Sequence, residues 1–144
     1  MNATFDTTEQ INAYKMIEMT TQSFFLTGRA GTGKTTFLKK IQKELPKRFV
    51  VLAPTGIAAY NAGGQTIHSF FGFGTTPQVP GSAAMMSRGA RDIARNIDAI
   101  IVDEVSMVRC DIIDAMDRTL RLVRKNSAPF GGLQMIFVGD MYQL

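Results

Sequence analysis

The sequence holds little of what disulfides, metal centres and membrane spans require. Its 144 residues include one cysteine, Cys110, one histidine, His68, and no tryptophan. A single histidine excludes a multi-histidine metal site. A single cysteine excludes an internal disulfide, so we expect Cys110 to be a small buried or half-buried thiol. No apolar run approaches the roughly 18 residues of a membrane span, and no charged-then-apolar leader opens the chain. We therefore predict a soluble intracellular protein without a membrane partner, cytoplasmic or, if its source is eukaryotic, nuclear or mitochondrial.

The composition is that of one globular domain. A hydrophobic content of 45% in 144 residues suffices for a core, and the net charge of +4 is compatible with a polyanionic partner. We accordingly treat residues 1–144 as a single domain.

Short, continuously apolar runs alternate with helical patterns. The runs are Phe24–Leu26, Phe49–Leu52, Ala99–Val102 and Met135–Val138. Such runs suit parallel strands that are covered on both faces, which predicts an α/β fold of three layers. Helices are expected from near Thr7 and over about residues 109–125, and a long loop over residues 74–89, where proline, glycine and serine cluster.

A glycine-rich segment follows the first apolar run and precedes a helical pattern. Its sequence, Gly28-Arg29-Ala30-Gly31-Thr32-Gly33-Lys34-Thr35, is that of a phosphate-binding loop between a strand and a helix. Backbone N–H groups would face the phosphates of a nucleotide, Lys34 would lie by the β- and γ-phosphates, and Thr35 would bind Mg²⁺. The alternative is a glycine-rich turn with a surface lysine. We assign the nucleotide to Gly28, Ala30, Gly31, Thr32, Gly33, Lys34, Thr35 and Thr36.

Two acidic residues directly follow the run Ala99–Val102. Asp103 is placed where a nucleotide hydrolase holds Mg²⁺, and Glu104 where it polarises the attacking water. The alternative is a solvated turn or a helix cap. Gln143, after the last run, can hydrogen-bond both a γ-phosphate oxygen and the water, although an exposed turn glutamine is the alternative. Because parallel strands bind ligands beyond their carboxyl ends, all these residues should line one crevice.

Gln10 has two interpretations that the spacing does not separate. Thr7-Thr8-Glu9-Gln10 fits a capping box at the start of a helix. The same glutamine amide could bind the donor and acceptor edges of adenine if this helix lies against the phosphate loop.

Together these motifs resemble, in order, the first half of a PIF-type (petite integration frequency) helicase of superfamily one. The resemblance runs from Gln10 to Leu144. Its most specific parts are Ala53-Pro54-Thr55-Gly56-Ile57-Ala58-Ala59, Gln65-Thr66-Ile67-His68-Ser69-Phe70-Phe71 and Asp103-Glu104-Val105-Ser106-Met107, joined by Phe130-Gly131-Gly132 and Gly139–Leu144. It implies a RecA-like P-loop core that uses ATP and Mg²⁺, with Gln10 on adenine, Gln143 as γ-phosphate sensor, and movement along single-stranded DNA from five-prime to three-prime. The last strand would then insert between the phosphate-loop strand and the Asp103 strand.

The resemblance also implies that Thr55, Gly56, Thr66 and His68 hold the DNA backbone. Hydroxyls, backbone N–H groups and an imidazole suit phosphate contacts that read no sequence. Phe70, Phe71 and Phe73 could stack on bases or pack in the core, with the core favoured. Arginines 118, 121 and 124 are expected to form a solvated helix face with aspartates 114 and 117 as partners.

The family pattern continues beyond Leu144 into a second RecA-like domain, whose arginines neutralise the transition state. We therefore expect this domain to be truncated at its carboxyl end and nearly inactive alone. The alternatives are another P-loop phosphotransferase, such as a nucleotide kinase, and a non-catalytic nucleotide-binding module.

Overall fold

A five-stranded parallel sheet forms the centre of the protein. The computed structural model describes residues 7–28, 33–75 and 86–140. The strands are β1 (Phe24–Thr27), β2 (Phe49–Ala53), β3 (Gln65–Thr66), β4 (Ala99–Val102) and β5 (Gln134–Gly139). Their spatial order is β1-β5-β4-β2-β3, and every neighbouring pair is parallel. The predicted α/β fold is confirmed, and β5 lies between β1 and β4 as expected.

Six α-helices connect the strands in the described ranges. They are α1 (Thr8–Met19), α2 (Lys34–Glu44), α3 (Gly56–Ala62), α4 (Ile67–Phe71), α5 (Arg88–Asn96) and α6 (Cys110–Val123), with 3₁₀ turns at Val105–Met107 and Pro129–Gly132. The predicted helix starts are close to those observed, since Thr7 caps α1 and Arg109 precedes α6. None of the described helices is long and apolar enough to cross a membrane.

Two hydrophobic clusters cover the two faces of the sheet. Residues of β4 alternate between them, with Ile100 and Val102 in one cluster and Ala99 and Ile101 in the other. The first cluster packs α4 and α6 on the sheet, and the second packs α1 and α2. Because β4 is buried along its whole length, its sequence is continuously apolar rather than alternating. The arrangement confirms the three layers.

The aromatic residues after β3 belong to the core. Phe70 and Phe71 are 1% and 0% exposed, and the Phe71 ring stacks on Phe73 with centroids 5.2 Å apart. Buried rings are not available to stack on bases, so the core interpretation is correct for both residues of α4.

Three expectations need correction. Cys110 is exposed at the start of α6 rather than buried, because the apolar face of that helix begins two residues later at Ile112. Arg121 pairs with Asp117 at 2.9 Å as expected, but Arg124 is not simply solvated. It donates to the carbonyls of Ala94 and Gly131, both at 2.8 Å, and so ties α5 and the Pro129–Gly132 turn to α6. Most of the predicted loop at 74–89 lies outside the described residues, and its last two positions already belong to α5.

Candidate functional site

The carboxyl ends of the strands bring the predicted residues to one edge of the sheet. Since all strands are parallel and β5 separates β1 from β4, Gly28, Asp103 and Asp140 follow three adjacent strands at the same edge. Pro54 and Thr55 follow β2 on the other side of β4. Ligands of parallel sheets bind at this edge.

The two described ends of the glycine-rich loop are held together by Lys34. Lys34 is the first residue of α2, and its Nζ donates across the turn to the carbonyl oxygen of Gly28. Gly33 has a φ of 84°, a conformation that glycine adopts without strain, and no side chain caps the helix that follows it. The helix start thus presents its first N–H groups and the exposed Thr35 and Thr36, which is the kind of position where proteins can bind an anion. Ala30, Gly31 and Thr32 lie outside the described residues.

Gln10 lies against the same loop. The Thr7 hydroxyl accepts a hydrogen bond from the Gln10 backbone N–H at 3.1 Å, which confirms the helix cap. A Cβ added to Gly33 would lie only 3.3 Å from Gln10 Nε2, so the amide is beside the loop as well. Gln10 and Lys34 line one cavity of about 250 Å³. The cap uses the Gln10 backbone N–H and the Gln10 side chain lies beside the loop, so both interpretations of Gln10 stay open.

Asp103 is a half-buried carboxylate at the end of β4. Its Oδ1 accepts from the Glu104 N–H at 2.9 Å, and its own N–H donates to the Leu52 carbonyl at 2.8 Å. Burial raises the pKa of the Asp103 carboxyl, the Glu104 charge raises it further, and the Glu104 N–H and Lys34 oppose these effects. The effect of Lys34 is the one expected of a cation at the same edge of the sheet.

Glu104 has an unusual backbone conformation. Its φ of 53° and ψ of 39° are left-handed, which costs a non-glycine residue about 1 to 2 kcal/mol. The Val105–Met107 turn follows directly, and Gly139 packs on it so closely that a Cβ there would lie 3.1 Å from Val105 Cγ1. Strain of this kind is typical of functional positions. Gln143 lies outside the described residues, beyond the buried Asp140.

The four predicted DNA residues occupy two helix starts. Thr55 and Thr66 cap α3 and α4, accepting from the N–H groups of Ala58 at 3.2 Å and Ser69 at 3.1 Å. Gly56 is the exposed first residue of α3, with open space around it. His68 lies in α4, edge-on to Phe73 with ring centroids 6.0 Å apart. Thr55 and His68 line a common cavity of about 210 Å³, whereas Thr66 is not among its lining residues.

The comparisons with known proteins agree on one family. The sequence model of the PIF1-like helicases matches residues 6–144. The chain belongs to this family. ATP-dependent DNA helicase PIF1 of Homo sapiens is 42% identical over 126 residues, covering 85% of this chain and 20% of the human protein. The Saccharomyces cerevisiae PIF1 helicase is 41% identical over 144 residues, covering 94% and 17%.

Solved Pif1 structures have the same fold. A Bacteroides Pif1 in complex with ADP-AlF4 is 42% identical, with a TM-score of 0.90 over 99% of this chain and 34% of that one. Bacteroides Pif1 bound to ssDNA gives the same identity and TM-score over 99% and 33%. The chain thus spans about a fifth of its curated PIF1 relatives and a third of the solved Pif1 chains.

Two residues near the candidate DNA positions escaped the sequence-based assignment. Met107 and Arg109 line the cavity of Thr55 and His68. Met107 was inside a recognised PIF1-like motif, but only its two acids received a role. Arg109 carried no signal, because the chain has many basic residues and the turn that directs this one is visible only in the fold.

Proposed function

We propose that this chain is an amino-terminal RecA-like ATPase domain of a DNA helicase that moves from five-prime to three-prime on single-stranded DNA. The observation that carries the proposal is the meeting of Lys34, Asp103 and Glu104 at the carboxyl edge of a parallel sheet, in a member of the PIF1-like family. A relative's complexes with ADP-AlF4 and with ssDNA support both ligands.

ATP would lie across the start of α2. Lys34 is positioned to exchange its bond with the Gly28 carbonyl for a charge-assisted bond to the β- and γ-phosphates. The cavity beside Gln10 would take the adenine. Glu104 would orient the attacking water, and Gln143 would contact the γ-phosphate.

Magnesium fits the donors at this edge. Thr35 and Asp103 supply hard oxygen ligands, and no group of three or more candidate metal ligands exists among the described residues. Mg²⁺ sites of nucleotide hydrolases take few protein ligands, and water and phosphate oxygens would supply the others. When bound, the ion would neutralise phosphate charge and offset the burial that raises the pKa of Asp103.

Single-stranded DNA would cross the starts of α3 and α4. A threonine hydroxyl has one donor and two acceptor positions. The capping bonds of Thr55 and Thr66 use an acceptor position, so the O–H can still donate to a phosphate. The binding expected is weak, indifferent to sequence and reduced by salt, since phosphate contacts dominate it.

Lys34→Ala tests nucleotide binding. Titration calorimetry with Mg-ATP should show that the variant loses binding, whereas Lys39→Ala, which removes an exposed lysine of the same helix, should keep it. Thermal unfolding of both variants controls for damage to the fold. Equal affinities of wild type and Lys34→Ala would refute the nucleotide assignment.

We further propose that a second RecA-like domain completes the catalytic site. We also propose that the protein is cytoplasmic or, if its source is eukaryotic, nuclear or mitochondrial. An arginine supplied by another domain is worth about 10³–10⁵ in rate. Residues 1–144 alone should hydrolyse ATP slowly, with little stimulation by DNA, and unwind nothing. Turnover above about 1 s⁻¹, in the ordinary enzyme range, that disappears in Glu104→Gln would refute the need for a second domain.

A further inference from the structure

We propose that Met107 and Arg109 form a second wall of the single-stranded DNA site, with Arg109 contacting a phosphate and Met107 the adjoining deoxyribose or base. The inference rests on the proposed function, because it extends the DNA surface that begins at Thr55. It assigns roles to a methionine and an arginine that follow the catalytic acids in the chain.

The cavity of about 210 Å³ joins two parts of the fold. Thr55 and His68 line it from the starts of α3 and α4, and Met107, Val108, Arg109 and Ile112 line it from the turn and helix that follow Glu104. Apolar atoms thus lie beside a hydroxyl, an imidazole and a guanidinium. A nucleotide is complementary to this combination, since its sugar and base have apolar faces and its phosphate is an anion.

Met107 is held in an exposed position by its backbone. Its N–H donates to the Glu104 carbonyl at 3.0 Å, and its side chain is 59% exposed although it is apolar. Methionine is flexible and polarisable, so it can adapt to sugars and bases of any sequence. Such a contact suits a DNA site that does not read sequence.

Arg109 is oriented before any ligand binds. Its Nε and Nη2 donate to the two carboxylate oxygens of Asp111 at 3.0 and 2.9 Å, while its side chain remains 58% exposed. Arginine has five N–H donors, so this fork leaves others for a phosphate. Because the bond to Asp111 already orders the Arg109 side chain, that side chain loses less conformational entropy when it contacts a phosphate.

The test compares matched single variants in fluorescence-anisotropy titrations with labelled oligo(dT) at several salt concentrations. Arg109→Ala should weaken binding by about 3- to 10-fold and lower the salt slope by about one. Met107→Ala should weaken binding by about 2- to 3-fold with an unchanged slope, since an apolar contact releases no counterion.

The control variants remove an arginine and a methionine at positions away from the cavity. Arg48→Ala removes an exposed arginine that also pairs with an aspartate, Asp98, but precedes β2 and so lies at the opposite end of the sheet. Met19→Ala removes a methionine that is 76% exposed at the end of α1. Both should change affinity by less than about 2-fold.

The outcomes separate the two proposals. If Thr55→Ala and His68→Ala weaken binding while Arg109→Ala and Met107→Ala match their controls, the second wall is refuted and the proposed function stands. If the wild type shows no salt-dependent binding, the DNA part of the proposed function fails and the second wall fails with it. Alkylation of Cys110, the exposed single thiol beside Arg109, gives an independent measurement. Oligo(dT) should slow it in the wild type, and an unchanged rate at saturating DNA would also refute the second wall.

Discussion

The left-handed backbone of Glu104 predicts that glycine there gives a more stable fold than alanine, although both substitutions should remove catalysis. Glycine adopts a φ of 53° freely, whereas alanine there costs about 1 to 2 kcal/mol. Against this, glycine loses about 0.5 to 1 kcal/mol relative to alanine through its freedom in the unfolded chain. Both variants lack the carboxylate, so their difference isolates the backbone. Glu104→Gly should be more stable than Glu104→Ala by about 0.5 to 1 kcal/mol, or about 2 to 3 °C for a chain of this size.

The assay is thermal and urea unfolding followed by circular dichroism. Lys125 has a φ of 50° outside the candidate site, so Gly and Ala variants there should differ with the same sign. At Lys39, inside helix α2, glycine should instead be less stable than alanine by about 1 kcal/mol. Both Glu104 variants should bind Mg-ATP and fail to hydrolyse it. If Glu104→Gly is the less stable of the two while the controls behave as stated, the strain at Glu104 is refuted.

Two further substitutions test the site at other points. Asp103→Asn should stabilise the nucleotide-free protein at pH 7. Because burial raises the folded-state pKa of this carboxyl, the fold holds a proton that the unfolded chain releases, and wild-type stability falls as pH rises through that window. The advantage of the variant in urea unfolding should shrink as pH approaches 4, and a constant advantage would contradict this reasoning. Thr55→Asp should keep the α3 cap, since aspartate is as good a cap, but weaken oligo(dT) binding by repelling phosphate. Ser87→Asp, at the cap of α5, should change affinity less, and equal effects would mean that only net charge matters.

The sequence predicted those parts of the fold that depend on apolar burial. Strand β4 was predicted with its observed bounds, because a strand buried on both faces must be apolar at every position. The two-residue strand β3 was missed, because two polar residues carry no period. Helix α5 was missed because only Ala94 of its nine residues is buried. Hydrogen bonds to α6, from Arg124 to the Ala94 carbonyl and from Arg95 to the Val123 carbonyl, help to hold it.

The candidate site could likewise be predicted only in part from the sequence. Lys34 and Asp103 could be proposed from spacing, because a phosphate loop and a strand-end acid have fixed positions in the chain. The left-handed conformation of Glu104 could not be predicted from the sequence, since glutamate has no preference for it. The shared cavity of Arg109 and Thr55 could not be predicted either, because 53 residues and two strands lie between them in the sequence and only the order of the sheet brings them together.

Several residues that the sequence presented as either structural or functional can be both. The Gln10 backbone N–H completes the helix cap, while its amide lies against Gly33 of the phosphate loop. The Thr55 hydroxyl caps α3 with an acceptor position that a phosphate does not need. A cap fixes the side chain and leaves less conformational entropy to lose on binding. Capping would therefore favour the phosphate contact proposed for Thr55, and a substitution that removes its hydroxyl should reduce both stability and affinity.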